Sequence, residues 1–408
     1  MVSLTINEIS IIFLALFLLL LFSFIFGKLF EYIKAPKVVG EIVGGMVVGG
    51  SVFALLLPEF FNSIFYSFEE EGKILNTFYQ LGLVFLMFSS GINTTIKITK
   101  ESIKKYSLLF FGATVIPILL GIPFVNFFED NFIGEADSSS AFMIVFLIST
   151  AITSIPVISK IFFDIGMMNT KYSNMVLTVS TIQDLCLWVM LNLAINIVEI
   201  GQFNLSVLLE TVIVTVGLVV IAKVLEWYLQ KTKIKISKNI LSISFLILFL
   251  LIYILSKLNI NIMYSAFISG YILKAILPEN SKEVEQIKNI GFSLFVPIYF
   301  ALVGLQLDVI HNFSFIRFML FFIIVFGLEF LGTVLFMWFT KLKRKTVISL
   351  GITMNARGGP GIVLATTAFS YNIINIEFFT VLILTTMLSS AIAGYWLRVV
   401  KEDIKDDA

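Results

Sequence analysis

Long apolar runs separated by short polar stretches fill this chain from end to end. Runs of roughly 17–27 residues, enough to cross about 30 Å of hydrocarbon as helices, recur thirteen times. They lie near 9–27, 38–57, 74–96, 106–128, 140–163, 172–198, 205–229, 239–256, 261–277, 289–307, 313–340, 346–371 and 376–398. The pattern predicts an all-α polytopic membrane protein with about 13 transmembrane helices.

The polar stretches test that count. With the N-terminus outside and spans alternating, the inside loops carry Lys28, Lys34 and Lys37; Lys97, Lys100, Lys104 and Lys105; Lys160 and Lys171; and Lys231, Lys233, Lys235 and Lys238. Further along they carry Lys274, Lys282 and Lys288; Lys341, Lys343, Arg344 and Lys345; and Arg398, Lys401 and Lys405. That is 23 of the 28 basic residues, against Lys73, Lys257 and Arg317 outside. Acidic residues such as Glu69, Glu70, Glu71, Glu129 and Asp130 gather on the outside. The bias satisfies the positive-inside rule with the N-terminus out and the C-terminus in.

Thirteen divides as six, one and six, and an odd linker inverts the second six relative to the first. The expected organisation is one transmembrane domain over 1–408. It comprises a first repeat at 1–199, a linker helix at 205–229, an inverted repeat at 239–398 and a short cytoplasmic tail at 399–408. Inverted repeats bind ions near the midplane, where paired helices break. The fifth and twelfth runs correspond under the inversion, and both carry helix breakers. The fifth reads Ser149-Thr150-Ala151-Ile152-Thr153-Ser154-Ile155-Pro156, and the twelfth Asn355-Ala356-Arg357-Gly358-Gly359-Pro360-Gly361. Pro156 and Pro360 cannot donate to a preceding turn, and nearby hydroxyls can satisfy freed backbone groups.

Composition agrees with the membrane reading: 58% hydrophobic, 13% charged, mean hydropathy +1.00. A net charge of +1 points to no nucleic-acid partner. One cysteine, Cys186, excludes an internal disulfide and is expected to be a small buried apolar residue; the one histidine, His311, is expected in a solvated loop. The first run lacks a basic flank and a small-residue cleavage pattern, so a retained span is expected rather than a signal peptide. No polar region is long enough for a soluble nucleotide-binding domain, and no cofactor is implied.

Four charges lie clearly inside the runs: Glu41, Asp184, Glu329 and Arg357. Lys223 and Glu226, near the inner end of the seventh run, can snorkel or pair at helical spacing. Arg357 is always protonated and needs a partner, either Glu41 or Glu329. Asp184 stands alone, with no other charge between Lys171 and Glu199. A mid-membrane carboxylate costs about 2.5–3.5 kcal/mol on insertion scales and marks a proton or cation site by default. Desolvation favours its neutral form and a dehydrated cation its ionised form, so proton and cation compete for one group. Gln183 beside it can offer a carbonyl oxygen, and Thr153, Ser154 and backbone carbonyls at the fifth-run break could complete an oxygen shell for a transported monovalent cation at Asp184.

With these pieces the chain resembles the monovalent cation/proton antiporter superfamily, and most closely its second family, of bacteria and archaea. The resemblance rests on Val38-Val39-Gly40-Glu41-Ile42, Thr153-Ser154-Ile155-Pro156-Val157, Asp164-Ile165-Gly166, Gln183-Asp184, Phe300-Ala301-Leu302-Val303-Gly304-Leu305 and Arg357-Gly358-Gly359, in that order. It implies crossed discontinuous helices, a homodimer with a dimerisation domain, a moving six-helix core and elevator-type alternating access. By position, Asp184 matches the family's ion-binding aspartate. Gln183 falls where electrogenic sodium/proton members have a second aspartate, and Glu329 where many of them have a lysine. Ser154 replaces the acid of the family's Thr-Asp pair at the broken helix.

The expected function is therefore Na+/H+ exchange, alternatively K+/H+ exchange, across the cytoplasmic membrane, with Glu329, Arg357 and Glu41 as supporting charges. Glu329 can replace the lost acid, balance Arg357 or form a second proton site. A passive channel would carry repeated carbonyl-rich filter loops, and a solute symporter would need a larger cavity. An enzyme would need a constellation that one histidine and no clustered ligands do not supply.

Overall fold

The structure is a computed structural model that describes residues 4–33, 35–93, 103–168, 170–201, 205–232, 240–258, 260–276, 282–307, 309 and 313–404. Lys34, Lys97, Lys100, Lys233, Lys235, Lys238, His311 and Lys405 of the loops and tail lie outside these residues. The described chain is nearly all helical, with one isolated bridge between Ile133 and Ile374. In its described residues, each of the thirteen expected runs falls on a helix or a short series of helices. Eight helical stretches among the described residues are long and apolar enough to cross a membrane. They are Ile6–Tyr32, Lys37–Leu56, Glu71–Ile92, Ile103–Phe132, Lys171–Ile200, Glu285–Gln306, Phe315–Met337 and Ile376–Ile404.

The chain forms two compact units, each drawing segments from both halves of the sequence. The first holds Met1–Ile92 and Val216–Asn312. Its tightest packing brings the helices Ile6–Tyr32, Lys37–Val48 and Val296–Gln306 together through glycine. A Cβ on Gly45 would strike the carbonyl of Ala301, and one on Gly304 the carbonyl of Ile42. Small residues let membrane helices approach backbone to backbone, where dispersion rather than water release holds them. The Ser23 hydroxyl adds a 3.1 Å bond to the Pro297 carbonyl, and buried Glu41 pairs with Lys37 at 3.0 Å one turn away.

The second unit holds Asn93–Thr215 and Phe313–Ala408. Its centre is aromatic at one end, where Phe128, Phe132, Phe146, Phe321 and Phe378 stack or meet edge-on at 4.6–5.7 Å. There, Gly134 N donates to the Ile373 carbonyl at 3.0 Å and Asn375 N to the Phe132 carbonyl at 3.0 Å, while Arg317 pairs with Glu377 at 2.6 Å. Aliphatic side chains including Ile158, Val176, Leu350 and Leu397 fill another part of the unit.

Two interruptions dominate this unit. The fifth run is a helix Ser139–Ser149, an irregular turn, and a second helix Ile155–Asp164. The twelfth is Arg344–Met354 followed by Gly358–Ser370. Both fall where the proline and glycine residues predict them. A third irregularity has no counterpart in the sequence reading: the fourth run passes through a π-helical turn at Phe111–Val115, just before Pro117. Cys186 also departs from expectation. It lies on an exposed side of Lys171–Ile200, because the buried ridge of that helix is occupied by Asp184, Leu187, Trp188 and Leu191.

Candidate functional site

Each break in the second unit frees backbone groups, and the other break takes them up. Pro360 has no N–H for the carbonyl of Ala356, which accepts instead from Ser154 N at 2.6 Å. The Thr153 hydroxyl donates to the Met354 carbonyl at 2.6 Å, the last residue of the helix before the twelfth-run break. On the other side, the carbonyl of Ser149 takes a bond from Arg357 Nη1. The Ser154 hydroxyl accepts from Val157 N at 3.3 Å and caps the helix that restarts at Ile155. The Ser390 hydroxyl accepts from Gly358 N at 3.0 Å at the start of the other restarted helix, whose first turn contains Gly359 and Pro360.

Gly358 closes this crossing. Its φ is +40°, and a Cβ there would collide with Ser154 Oγ and Val157 Cγ2. Gly358→Ala is expected to cost roughly 1–3 kcal/mol from backbone strain alone, and more from the collision. Thermal unfolding in detergent checks this; a melting curve unchanged from wild type would mean that the breaks do not depend on each other.

Arg357 is 2% exposed and its partner is Glu329, at 3.0 Å from Nη2. The same nitrogen meets the Val325 carbonyl at 3.2 Å and Asn355 Oδ1 at 3.1 Å. Thr153 Oγ1 lies 3.4 Å from the other Glu329 oxygen. Glu41, the other partner the sequence allowed, belongs to the first unit and pairs with Lys37. Of the two acids buried in the second unit among the described residues, Glu329 thus has a counter-charge.

Asp184 has none among the described residues. It is 1% exposed, and both carboxylate oxygens are buried without a hydrogen-bond donor. Its neighbour Gln183 is tied down by Nε2, which donates to the carbonyl of Ala151 in the fifth-run break and to that of Ala113 at 3.2 Å. The Ala113 carbonyl is four residues before Pro117, inside the π-helical turn, so no helical N–H from Pro117 competes for it. Gln183 therefore fixes the Asp184 helix against two irregular stretches, while Asp184, the next residue, projects about 100° further round.

From the sequence, the Thr153 and Ser154 oxygens could complete a cation shell at Asp184. In the structure they serve the crossing itself: Thr153 meets Met354 and Glu329, and Ser154 caps its own helix. Other buried hydroxyls escaped that reading. Ser180, one turn before Asp184, and Thr114, in the π-helical turn, both have buried, unpartnered hydroxyl oxygens. Pro117 was the available signal for the Ala113 carbonyl, since a proline in an apolar helix always orphans the carbonyl four residues earlier. Tyr172, which bonds Thr353 at 2.8 Å and links the Asp184 helix to the twelfth run, carried no such signal.

The family model described as "Sodium/hydrogen exchanger, transmembrane" matches residues 12–402. Among curated proteins, the chain is 24% identical to Na(+)/H(+) antiporter NhaS4 of Synechocystis, covering 90% of this chain and 92% of that one. It is also 24% identical to K(+)/H(+) antiporter 1 of Saccharomyces cerevisiae, covering 92% of this chain but 44% of the relative. The chain spans about half the length of the plant and yeast relatives it matches. Among solved structures, the sodium proton antiporter MjNhaP1 of Methanocaldococcus jannaschii superposes with a TM-score of 0.66 at 16% identity, covering 97% of each chain.

Proposed function

The chain belongs to the sodium/hydrogen exchanger family and is a multi-pass integral membrane protein, and we propose that it exchanges Na+ for H+ by competition at Asp184. The observation that carries this reading is the contrast between two buried acids. Glu329 is held by Arg357, whereas Asp184 is buried with both oxygens free of donors. A carboxylate in that setting is stable when protonated or when a cation replaces the proton, and unstable when bare. Gln183, Thr153 and Ser154 act as positioning groups in this reading, because their polar atoms hold the crossing next to the Asp184 helix. Glu329 balances Arg357 rather than exchanging protons.

K+ is the second choice of ion, supported by the similarity to a yeast K(+)/H(+) antiporter. Cation-driven proton movement in proteoliposomes, with Na+, K+ and Li+ added separately, tests the function and names the ion. Absence of proton movement with all three would overturn it.

One exchanging acid implies one cation for one proton. At fixed ion gradients, the reversal condition is expected not to move when a membrane potential is imposed with valinomycin and K+; a voltage-dependent reversal would require a second charge-carrying group. The division into two compact units, with both breaks and Asp184 in the same one, supports an elevator in which that unit carries the ion. A homodimer in the cytoplasmic membrane, N-terminus outside and C-terminus inside, completes the proposal.

A further inference from the structure

Ser180, Asp184, Trp188, Asn192 and Asn196 recur at every fourth residue of Lys171–Ile200, and all five are buried. Positions four apart share one ridge of a helix. At the far end of the ridge the amides are engaged: Asn192 Nδ2 donates to Thr211 Oγ1 at 3.1 Å, and Asn196 Nδ2 to the Asn192 carbonyl at 2.8 Å. In the middle the pattern changes. The indole N–H of Trp188, 3% exposed, has no acceptor, and the carboxylate of Asp184 has no donor.

The two groups are chemically complementary. An indole N–H only donates and an ionised carboxylate only accepts. Helical side chains lean toward the helix N-terminus, so a residue at position 188 shares a ridge with Asp184 and leans toward the turn that carries it. The amide and guanidinium donors are committed, while the unpartnered Ser180 and Thr114 hydroxyls, unlike the indole, can accept as well as donate. Gln183 Nε2 serves the carbonyls of Ala113 and Ala151, and Arg357 serves Glu329.

We propose that Trp188 is a positioning residue of the exchange site, its indole N–H donating to the ionised Asp184 carboxylate both before and after a cation binds. This deepens the exchange reading and rests on Asp184 being the exchanging carboxylate. A hydrogen bond to the charged form favours that form and weakens the proton as a competitor. Trp188 thereby sets the pH at which cation displaces proton.

The elements against the Asp184 helix leave this role open. Ser139–Ser149 and Gly358–Ser370 contain no titratable group, and Ile103–Phe110 contributes Lys104, Lys105 and Tyr106. Ile155–Asp164 contributes Lys160 and Asp164, Arg344–Met354 contributes Arg344 and Lys345, and Leu205–Thr232 contributes Glu210 within the same unit. Tyr172, on the same helix, is bonded to Thr353. Glu329, on Phe315–Met337, also faces this helix beside Gln183 and is paired with Arg357.

Trp188→Phe keeps the ring and removes the N–H. In proteoliposomes, with whichever of Na+, K+ and Li+ the wild type moves, the apparent KM for the cation is measured from acid to alkaline pH. The variant's KM is expected to rise about three- to ten-fold on the acid side, the loss of one hydrogen bond to the charged form. Its profile moves to higher pH, the two proteins converge at the alkaline limit, and Vmax stays within about two-fold. Superimposed profiles, or a fall in Vmax with no movement along the pH axis, would overturn the role of Trp188 and leave exchange at Asp184 intact. A wild type that moves no cation would overturn both.

If Trp188→Phe does not fold, a second protein decides. Replacing Trp227, Trp338 and Trp396 with Phe leaves Trp188 as the only indole of the four. Its emission is expected to shift when cation is added, and not to shift once Asp184→Asn is added. Emission blind to cation in the first of these proteins would overturn the proposal.

Discussion

Asp184→Asn is expected to reduce cation-driven proton movement to the level of empty vesicles while leaving the folded protein at least as stable as wild type. Asparagine keeps the shape of the side chain but cannot release a proton or neutralise a cation. Both chemical states needed for exchange disappear together. Stability moves the other way because the wild-type carboxylate is buried without a donor on either oxygen. An amide in that position avoids the desolvation of a charge, which is the costlier burial. The pair of measurements is transport in proteoliposomes and melting in detergent on the same preparation. Retained exchange would sink the assignment of Asp184. Lost exchange together with a large fall in melting temperature would make Asp184 a structural residue.

Glu329→Gln should give the opposite pattern: a large loss of stability. Arg357 is 2% exposed and Glu329 fully buried, so the substitution strands a guanidinium in the interior. Breaking one side of a buried pair costs roughly 3–5 kcal/mol, most of it the uncompensated charge left behind. The three oxygens that Arg357 also contacts, on Ser149, Val325 and Asn355, soften that cost without cancelling it. The double substitution Glu329→Gln with Arg357→Met removes both charges and is expected to melt closer to wild type than Glu329→Gln alone. That non-additivity separates an ion pair from two independent contributions. A Glu329→Gln protein melting with the wild type would show that the pair does not hold the breaks together.

The helices and breaks were legible because both follow from local rules. Apolar run length marks a helix long enough for the bilayer, and Pro156 and Pro360 mark where a helix must lose a hydrogen bond. The isolation of Asp184 was legible for the same reason, since charge along the chain needs no tertiary information. What the sequence left open was pairing. Glu41 and Glu329 are equal partners for Arg357 by sequence, and only the structure places Glu329 against it; likewise the sequence offers the Thr153 and Ser154 oxygens to a cation shell but not the bonds they make, Thr153 to the Met354 carbonyl and Ser154 to Val157 N. A break creates acceptors whose positions depend on how two chains cross, and no periodicity encodes that. Cys186 failed for a related reason. Hydropathy identifies an apolar residue but, on a helix apolar all round, does not say which side faces inward.

Gln183 carries a consequence for how such a protein can change. Its amide hydrogens point at two backbone carbonyls, those of Ala113 and Ala151. An aspartate there would be one carbon shorter and, once ionised, would set its negative oxygens toward two others that also lack protons. A second acid beside Asp184 is therefore not one mutation away. The lineage would first have to give those carbonyls another donor, for instance by losing Pro117 and regaining a helical N–H opposite Ala113. The one-for-one ratio proposed above would in this sense be protected by backbone geometry, a single-acid chain sitting across a valley from one that uses two.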